Sequence, residues 1–344
     1  MSRTLASVQQ ITALSPIEGA DAIEVADVLG WKVVVKKGEF QVGDLAVYLE
    51  IDSVPPDEEQ YRFLWKSAEQ RPNNFRIKTI KLRGQISQGI LFPMDLETLA
   101  YAMLCQPIDQ MDTESLVGTD LTDFLRVEKY EAPLPRGSAD IAGQFFDGVP
   151  KTDEERVQSS TGRQHLAALQ GRPYYITVKC DGASMTVASH DAVPKVASRN
   201  YRLADNPDSA YWNAARSGGL LRFVELFPHM AVQGELCGPG IQGNRLGLSE
   251  HRCFVFNVYN RDLDLYMPWD TIADIAQEFF FDTVPLLEFG LSFNYDAADL
   301  LYLAEGKYEG TNSEREGIVI RNDDDGPFTS FKAISNRYLL KGGE

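Results

Sequence analysis

Cysteine is scarce in this sequence: four residues in 344, at positions 105, 180, 237 and 253, with no Cys-x-x-Cys pair among them. The four histidines do not cluster with them, so neither a zinc ribbon nor a disulfide framework is indicated, and buried, reduced thiols are the expectation. No run of about 18 apolar residues occurs, and the opening MSRTLASVQQ lacks the apolar core of a signal peptide. A soluble, cytoplasmic chain off the membrane is expected. Positive charge is also in short supply, with 33 Lys and Arg against 50 Asp and Glu and a net charge of -17. That balance excludes a protein that coats nucleic acid through bulk electrostatics, because such binding scales with phosphates neutralised. Any nucleic-acid contact must be local.

What is present is ordinary globular chemistry, 44% hydrophobic and 24% charged, at a length that favours about two domains. From Ala22 to Pro93 the runs AIEVADVLG, WKVVVKKG, LAVYLEID, FRIKTIKL and GILFP are separated by Gly, Asp and Pro, which predicts a small barrel or sandwich, an oligonucleotide-binding (OB) barrel being the natural candidate at this size. Within it, RPNNFRIKTIKLRGQ carries Arg71, Arg76, Lys78, Lys81 and Arg83 without a carboxylate. On an extended strand Arg76, Lys78 and, across a bend, Arg83 would project as a basic stripe, the one local candidate for touching nucleic acid. A helical or irregular extension follows (LETLAYAMLC, LTDFLRVEK), and EAPLPRGSADIAG reads as a linker. The expected division is an N-terminal module over 1–126, a linker over 127–145 and a second domain over 146–344.

The second domain opens on VPKTDEERVQSS, where Thr152 and Glu155 have the spacing of a capping box and predict a helix start. Strand-like runs then dominate (PYYITVKC, ASMTVASH, MAVQGEL, CFVFNVY, GIVIR), with WDTIADIAQEFF as an amphipathic helix. The class is antiparallel α+β, not a doubly wound parallel sheet.

One stretch carries chemistry. VKCDGASM sets Lys179 beside Asp181, Gly182 and Ser184 at the end of a β-prone run. A lysine with its ordinary pKa of about 10.4 is almost wholly protonated at neutral pH, so a nucleophilic role demands cationic neighbours, a metal or burial. In order beyond it come Ser198-Arg199-Asn200, QGELCGPGIQGN with Glu235, FVFNVY with Phe256, EGIVIR from Glu316 and SFKAISNRYLLK with Lys332.

This ordered series resembles the covalent nucleotidyltransferase superfamily of ATP-dependent ligases and capping enzymes, in which short motifs surround a lysine that becomes nucleotidylated. ELCGPGIQGN, FKAISNRYL and the upstream PKTDEER are most similar to RNA ligases, and the β-rich module ahead of them to the subgroup with an N-terminal OB domain. The resemblance implies an antiparallel α+β nucleotidyltransferase, ATP-grasp-like, domain behind an OB-like barrel. With twelve residues after Lys332, no room is expected for the C-terminal OB domain of DNA ligases and capping enzymes.

Carried over residue by residue, the resemblance implies that Lys179 attacks the α-phosphorus of ATP, that Glu316 holds a Mg2+ or Mn2+ ion, and that Lys332 contacts the α-phosphate. Phe256 and Val319 would sandwich the adenine, with Phe254 the core member of its strand. Glu235 would accept from the ribose, Arg199 would lie near ribose and incoming strand, and Val178 belongs to the nucleotide-binding set. Lys151 and Arg156 would engage phosphate or brace the helix start. Many relatives have Lys-x-Lys where this chain has Ser330-Phe331-Lys332, so either another cation stands in for the first lysine, with Arg321 and the basic stripe as candidates, or transition-state stabilisation is distributed differently. The implied activity is sealing of RNA 3'-OH and 5'-phosphate ends in nicked duplex RNA or an RNA-containing hybrid, with Arg76, Lys78, Lys81 and Arg83 on the nucleic acid and no obligate protein partner. The alternatives are a DNA ligase, a capping guanylyltransferase or a catalytically degenerate nucleotide- or RNA-binding module.

Overall fold

The computed structural model describes residues 3–64, 76–106, 115–130 and 141–341. Two compact units divide the chain, Met1–Pro133 with Gln158–Arg163, and Leu134–Val157 with Gln164–Glu344. Of the linker expected over 127–145, residues 131–140 lie outside the described residues. Glu128–Lys129 pairs with Ser53–Val54, and Ile141–Gln144 pairs with Tyr201–Leu203.

In the first unit, strands Ala6–Gln10, Leu45–Leu49 and Ile90–Pro93 form one antiparallel sheet, and Ala13–Pro16, Ile23–Val28 and Trp31–Lys36 a second. The alternation of WKVVVK is that of a half-buried strand: Trp31, Val33 and Val35 are buried while Lys32 and Val34 are less so. They join Tyr48, Leu49 and Ile51 in one apolar core. A hairpin, Thr79–Leu82 with Gln85–Gln88, turns through Arg83 and Gly84, both at positive φ as a two-residue hairpin loop requires. The helix Leu96–Leu104 begins where expected, capped by the Asp95 carboxylate accepting from the Thr98 N–H at 2.7 Å.

The basic stripe is corrected here. The strand starts only at Thr79, and Arg76 is not a projecting cation: its Nε donates to Asp52 at 2.7 Å and its guanidinium lies over the Tyr130 ring. Asp52, 24 positions before the arginine, holds it back from solvent. Lys78, Lys81 and Arg83 are exposed, and Arg71 lies outside the described residues.

The second unit is built on two sheets. A five-stranded sheet has the order Glu155–Arg156, Ser330–Ile334, Gly317–Asn322, Tyr174–Lys179, Leu286–Gly290. Its alternation is strict: Ile176, Ile318, Ile320, Phe331 and Ala333 pack with Leu169 and Leu300 of the helices Ser160–Leu169 and Ala297–Ala304. Thr177, Lys179, Val319 and Lys332 therefore share the other face. An eight-stranded sheet centres on Ala183–His190, Met230–Cys237 and Arg252–Asn260, against the helices Ala210–Ser217, Leu220–Leu226 and Trp269–Phe279. Pairing is antiparallel apart from two short parallel ladders, Glu155–Arg156 with Phe331–Lys332 and Phe254–Val255 with Asp282–Thr283. The α+β class is as expected.

The helix predicted from Thr152 starts later. Thr152 lies in extended chain, Glu155–Arg156 adds a strand to the five-stranded sheet, and the helix begins at Ser160, where the Ser159 hydroxyl accepts from the Gly162 N–H at 3.0 Å. Strand pairing and ion pairs made by Asp153 and Glu154 outweigh a local capping pattern worth about 1 kcal/mol.

Candidate active site

Lys179 is the last residue of its strand, opposite Gly317 in the register. Two glycines let backbones close in around it. A Cβ on Gly317 would sit 2.1 Å from the Ala333 carbonyl oxygen, and one on Gly182 would sit 2.4 Å from that of Leu236. The Lys179 Nζ donates to Glu316 Oε2 at 2.8 Å, both groups being largely buried. Lys332 lies on the neighbouring strand opposite Val319, and Val319 in turn lies opposite Thr177. Lys179 thus meets Glu316, 137 positions further on, and Lys332 of the strand that follows it.

The electrostatics reverse one expectation. Burial alone would lower the Lys179 pKa, but the carboxylates of Glu316 and Glu235 outweigh it and raise the value above the ordinary lysine range. The lysine is therefore stored as an ammonium ion, not as the neutral amine. Lys332 goes the other way: burial, then the Lys179 charge, lower its pKa. Glu235 is pushed up to about 7 by burial, opposed by Lys179 and reinforced by Glu316, Glu154 and Asp181. Burial would raise Glu154 as well, but Arg321 and Lys332 hold it below the usual carboxylate range.

The remaining expected residues fall as follows. Phe256 sits on a β-bulge: Gly234 faces Val255 and Gln233 faces Asn257, leaving Phe256 unopposed, with the Arg321 guanidinium 5.4 Å from its ring centroid. Because of the bulge, Cys253, Val255, Phe256 and Val258 all join one buried cluster, which plain alternation would forbid. Phe254, expected as the core member of this strand, is the less buried of the two and carries Arg252 over its ring. Plain alternation would set Phe254 and Phe256 on one face; the extra residue sets them on opposite faces. Val178 lies opposite Ile318, on the face away from Lys179, and its N–H donates to Pro285. Arg199 is half exposed and pairs with Asp153 at 2.8 Å. Lys151 donates to Asn200 at 3.0 Å, while Arg156 is buried beside Lys332. Arg321 faces Ser330 across the ladder, and Glu154 accepts from both, at 2.7 and 3.5 Å. Cys180, Cys237 and Cys253 are buried as expected, whereas Cys105 is exposed.

Several contributors were not visible as motifs. Arg245, from the loop after the Met230–Cys237 strand, pairs with Asp181 at 2.9 Å and stacks over Tyr338. Glu154 and Asp153 lie inside the quoted PKTDEER, the one local signal that could have pointed to them. Tyr308 has no local signal, since the partners of its hydroxyl lie 8 to 129 residues away.

Among the described residues no group of three or more His, Cys, Asp or Glu is arranged to hold a metal ion. A hard cation that binds through one carboxylate, water and substrate phosphates fits such a site, and the buried oxygens of Glu316 are of that chemistry. Nor is any helix among the described residues long and apolar enough to cross a membrane.

A largely buried lysine–carboxylate pair at the end of a five-stranded sheet is the arrangement expected of a nucleotidyltransferase that uses a lysine. A family model described as an OB-fold domain matches residues 5–94, and one described as RNA ligase matches residues 172–334. A solved Naegleria gruberi RNA ligase variant with AMP and Mn has a TM-score of 0.81 and 33% identity over 98% of this chain and 99% of that one. The same organism's RNA ligase with pyrophosphate has a TM-score of 0.80 and 33% identity over 99% of both chains. A variant with ATP and Mn has 0.81 and 34% over 98% of both. No protein with a curated description matches. The chain belongs to the RNA ligase family, in the branch with an N-terminal OB-fold domain.

Proposed function

We propose that this chain is an ATP-dependent ligase that joins RNA 3'-OH and 5'-phosphate ends, at nicks in duplex RNA or an RNA-containing hybrid, through a lysine-AMP intermediate. The observation that carries the reading is the 2.8 Å pair of Lys179 and Glu316, buried within reach of the Lys332 charge.

In the first step the neutral Lys179 amine attacks the α-phosphorus of ATP. An N–P bond forms, the bond to the β-phosphate oxygen breaks, pyrophosphate leaves, and the amine proton passes to solvent. In the second step the 5'-phosphate of the nick displaces lysine and takes the AMP. In the third the 3'-OH attacks that phosphate and AMP departs. Lys332 supplies a point charge for the reacting phosphate. Glu316 would hold a divalent ion, which would supply further positive charge there, and a Glu316 carboxylate so engaged would hold the Lys179 proton less strongly. Phe256 and Val319 cover the faces of the adenine, Glu235 accepts from the ribose, and Arg199, freed from Asp153, reaches sugar or phosphate. The Val178 backbone carbonyl is the atom it can offer a nucleotide. Arg321 stands where the missing lysine of Ser330 would put its charge.

Lys78, Lys81 and Arg83 are the surface of the barrel we assign to the RNA backbone, and Arg76 acts there by bracing Asp52. Incubation with α-labelled ATP or GTP and magnesium, followed by a denaturing gel, tests the chemistry. AMP bound to protein, chased onto a 5'-phosphate nick and released on sealing, is the expected result. Bound GMP would point to capping, and no transfer to a binding module.

A further inference from the structure

Tyr308 lies outside every motif, yet its hydroxyl makes three hydrogen bonds to the backbone of the reacting residues. It donates to the Lys179 carbonyl at 3.0 Å and accepts from the N–H groups of Asp181 at 2.9 Å and Glu316 at 3.1 Å. These are the groups left over where the Lys179 strand ends and the Glu316 strand begins, and buried backbone groups without partners are costly. Burial raises the phenol well above its ordinary pKa, so it keeps the proton it donates.

The tyrosine is itself held by a clasp. The Tyr308 N–H donates to Ser313 and its carbonyl accepts from the N–H and the hydroxyl of Thr311. Arg315 closes the clasp onto the end of the helix Ala297–Ala304, donating to the carbonyls of Leu303, Ala304 and Glu305. The hydroxyl is thus fixed from a helix terminus, and through it two chain segments are fixed relative to each other.

We propose that Tyr308 is a positioning residue for the nucleophile: its hydroxyl sets the placement of Lys179 against Glu316 by holding both backbones. The proposal rests on Lys179 being the adenylylated residue. Lys179 reacts as a nucleophile in the first step alone, so a fault in its placement should fall mainly on that step.

The test is Tyr308→Phe in the full chain, with single-turnover lysine adenylylation and sealing of a pre-adenylylated nick measured separately. The maximal adenylylation rate should fall about 10- to 100-fold, the range that misplacement by about an ångström produces. Half-saturating ATP should stay nearly constant, and sealing of the pre-adenylylated nick should fall less than about threefold. Adenylylation near the wild-type rate, or equal losses in both steps, overturns the proposal. If the variant fails to fold, Arg315→Lys loosens the clasp without touching the hydroxyl. It should give the same split with a smaller amplitude, and an even loss would overturn the idea. Label found on wild-type protein at a residue other than Lys179 would instead sink the proposed nucleophile, a result distinct from either variant's.

Discussion

The two units treat charge in opposite ways. The N-terminal barrel buries Trp31, Val33, Tyr48 and Leu49 and leaves Lys78, Lys81 and Arg83 at its surface; Glu50, paired with Arg3, is the notable buried exception. The second unit draws Lys179, Glu316, Glu154, Arg321 and Lys332 into one partly buried network. Surface charges of the first kind contribute about 0–1 kcal/mol each and remain available to a partner. Buried charges of the second kind are hard to justify by stability, because desolvation offsets much of their attraction. The contrast teaches where reaction chemistry is to be sought: in the unit that tolerates buried, mutually dependent charge.

Lys179→Ala puts the greatest strain on that contrast. It should abolish transfer of label from ATP, since no other residue of the motif can form the phosphoramidate, yet leave some sealing of a pre-adenylylated nick. Normal label transfer by this variant would remove the second unit's claim. Glu316→Ala and Lys332→Ala should each lower overall sealing by roughly a few hundredfold, the loss expected for one electrostatic stabiliser of about 3 to 4 kcal/mol. Turnover close to wild type at saturating ATP and magnesium would locate the site elsewhere.

Arg321→Met probes stability in place of rate. Leaving Glu154 buried beside an apolar side chain should cost about 3 kcal/mol in urea unfolding, whereas Lys81→Ala should change it by less than about 0.5 kcal/mol. Equal effects would erase the distinction between the units. Neutralising Lys78, Lys81 and Arg83 together should flatten the salt dependence of nick binding, because fewer phosphates lose counterions. Superimposable slopes across a salt series would mean the hairpin does not touch the RNA backbone.

The smallest effect concerns pH. Glu235 has a folded pKa raised to about 7, above its unfolded value, so the folded chain binds more protons than the unfolded one between those two values. Its contribution to stability therefore declines as pH rises through that window and stays low above it. In Glu235→Gln the fall in melting temperature from acid to neutral pH should be shallower than in wild type; parallel curves would contradict the assigned shift.

The strands were legible because burial on one face leaves alternation in the sequence, as in WKVVVK and GIVIR. Lys179, Glu316 and Lys332 were legible through their motifs. What escaped has no local trace. Thr152 and Glu155 have the spacing of a capping box whether the chain turns into a helix or pairs with Phe331–Lys332. The raised pKa of Lys179 depends on carboxylates from three distant segments, and Tyr308 is defined wholly by contacts that folding creates. Arg76 belonged to a basic run by sequence and to Asp52 by geometry.

The bulge at Phe256 makes the Arg252–Asn260 strand a text read in two frames. Up to Val255 the odd-numbered residues enter the buried cluster, and from Phe256 onward the even-numbered ones do, while Asn257 turns to Gln233 and Tyr259 to a separate cluster. A substitution alters one letter of this text. Removing a single residue at the junction would restore one frame, with Val255 and Val258 still inward and Asn257 still turned to Gln233, and would take away only the extra inward position, so the strand's length, more than any one of its side chains, decides that an aromatic ring stands at 256.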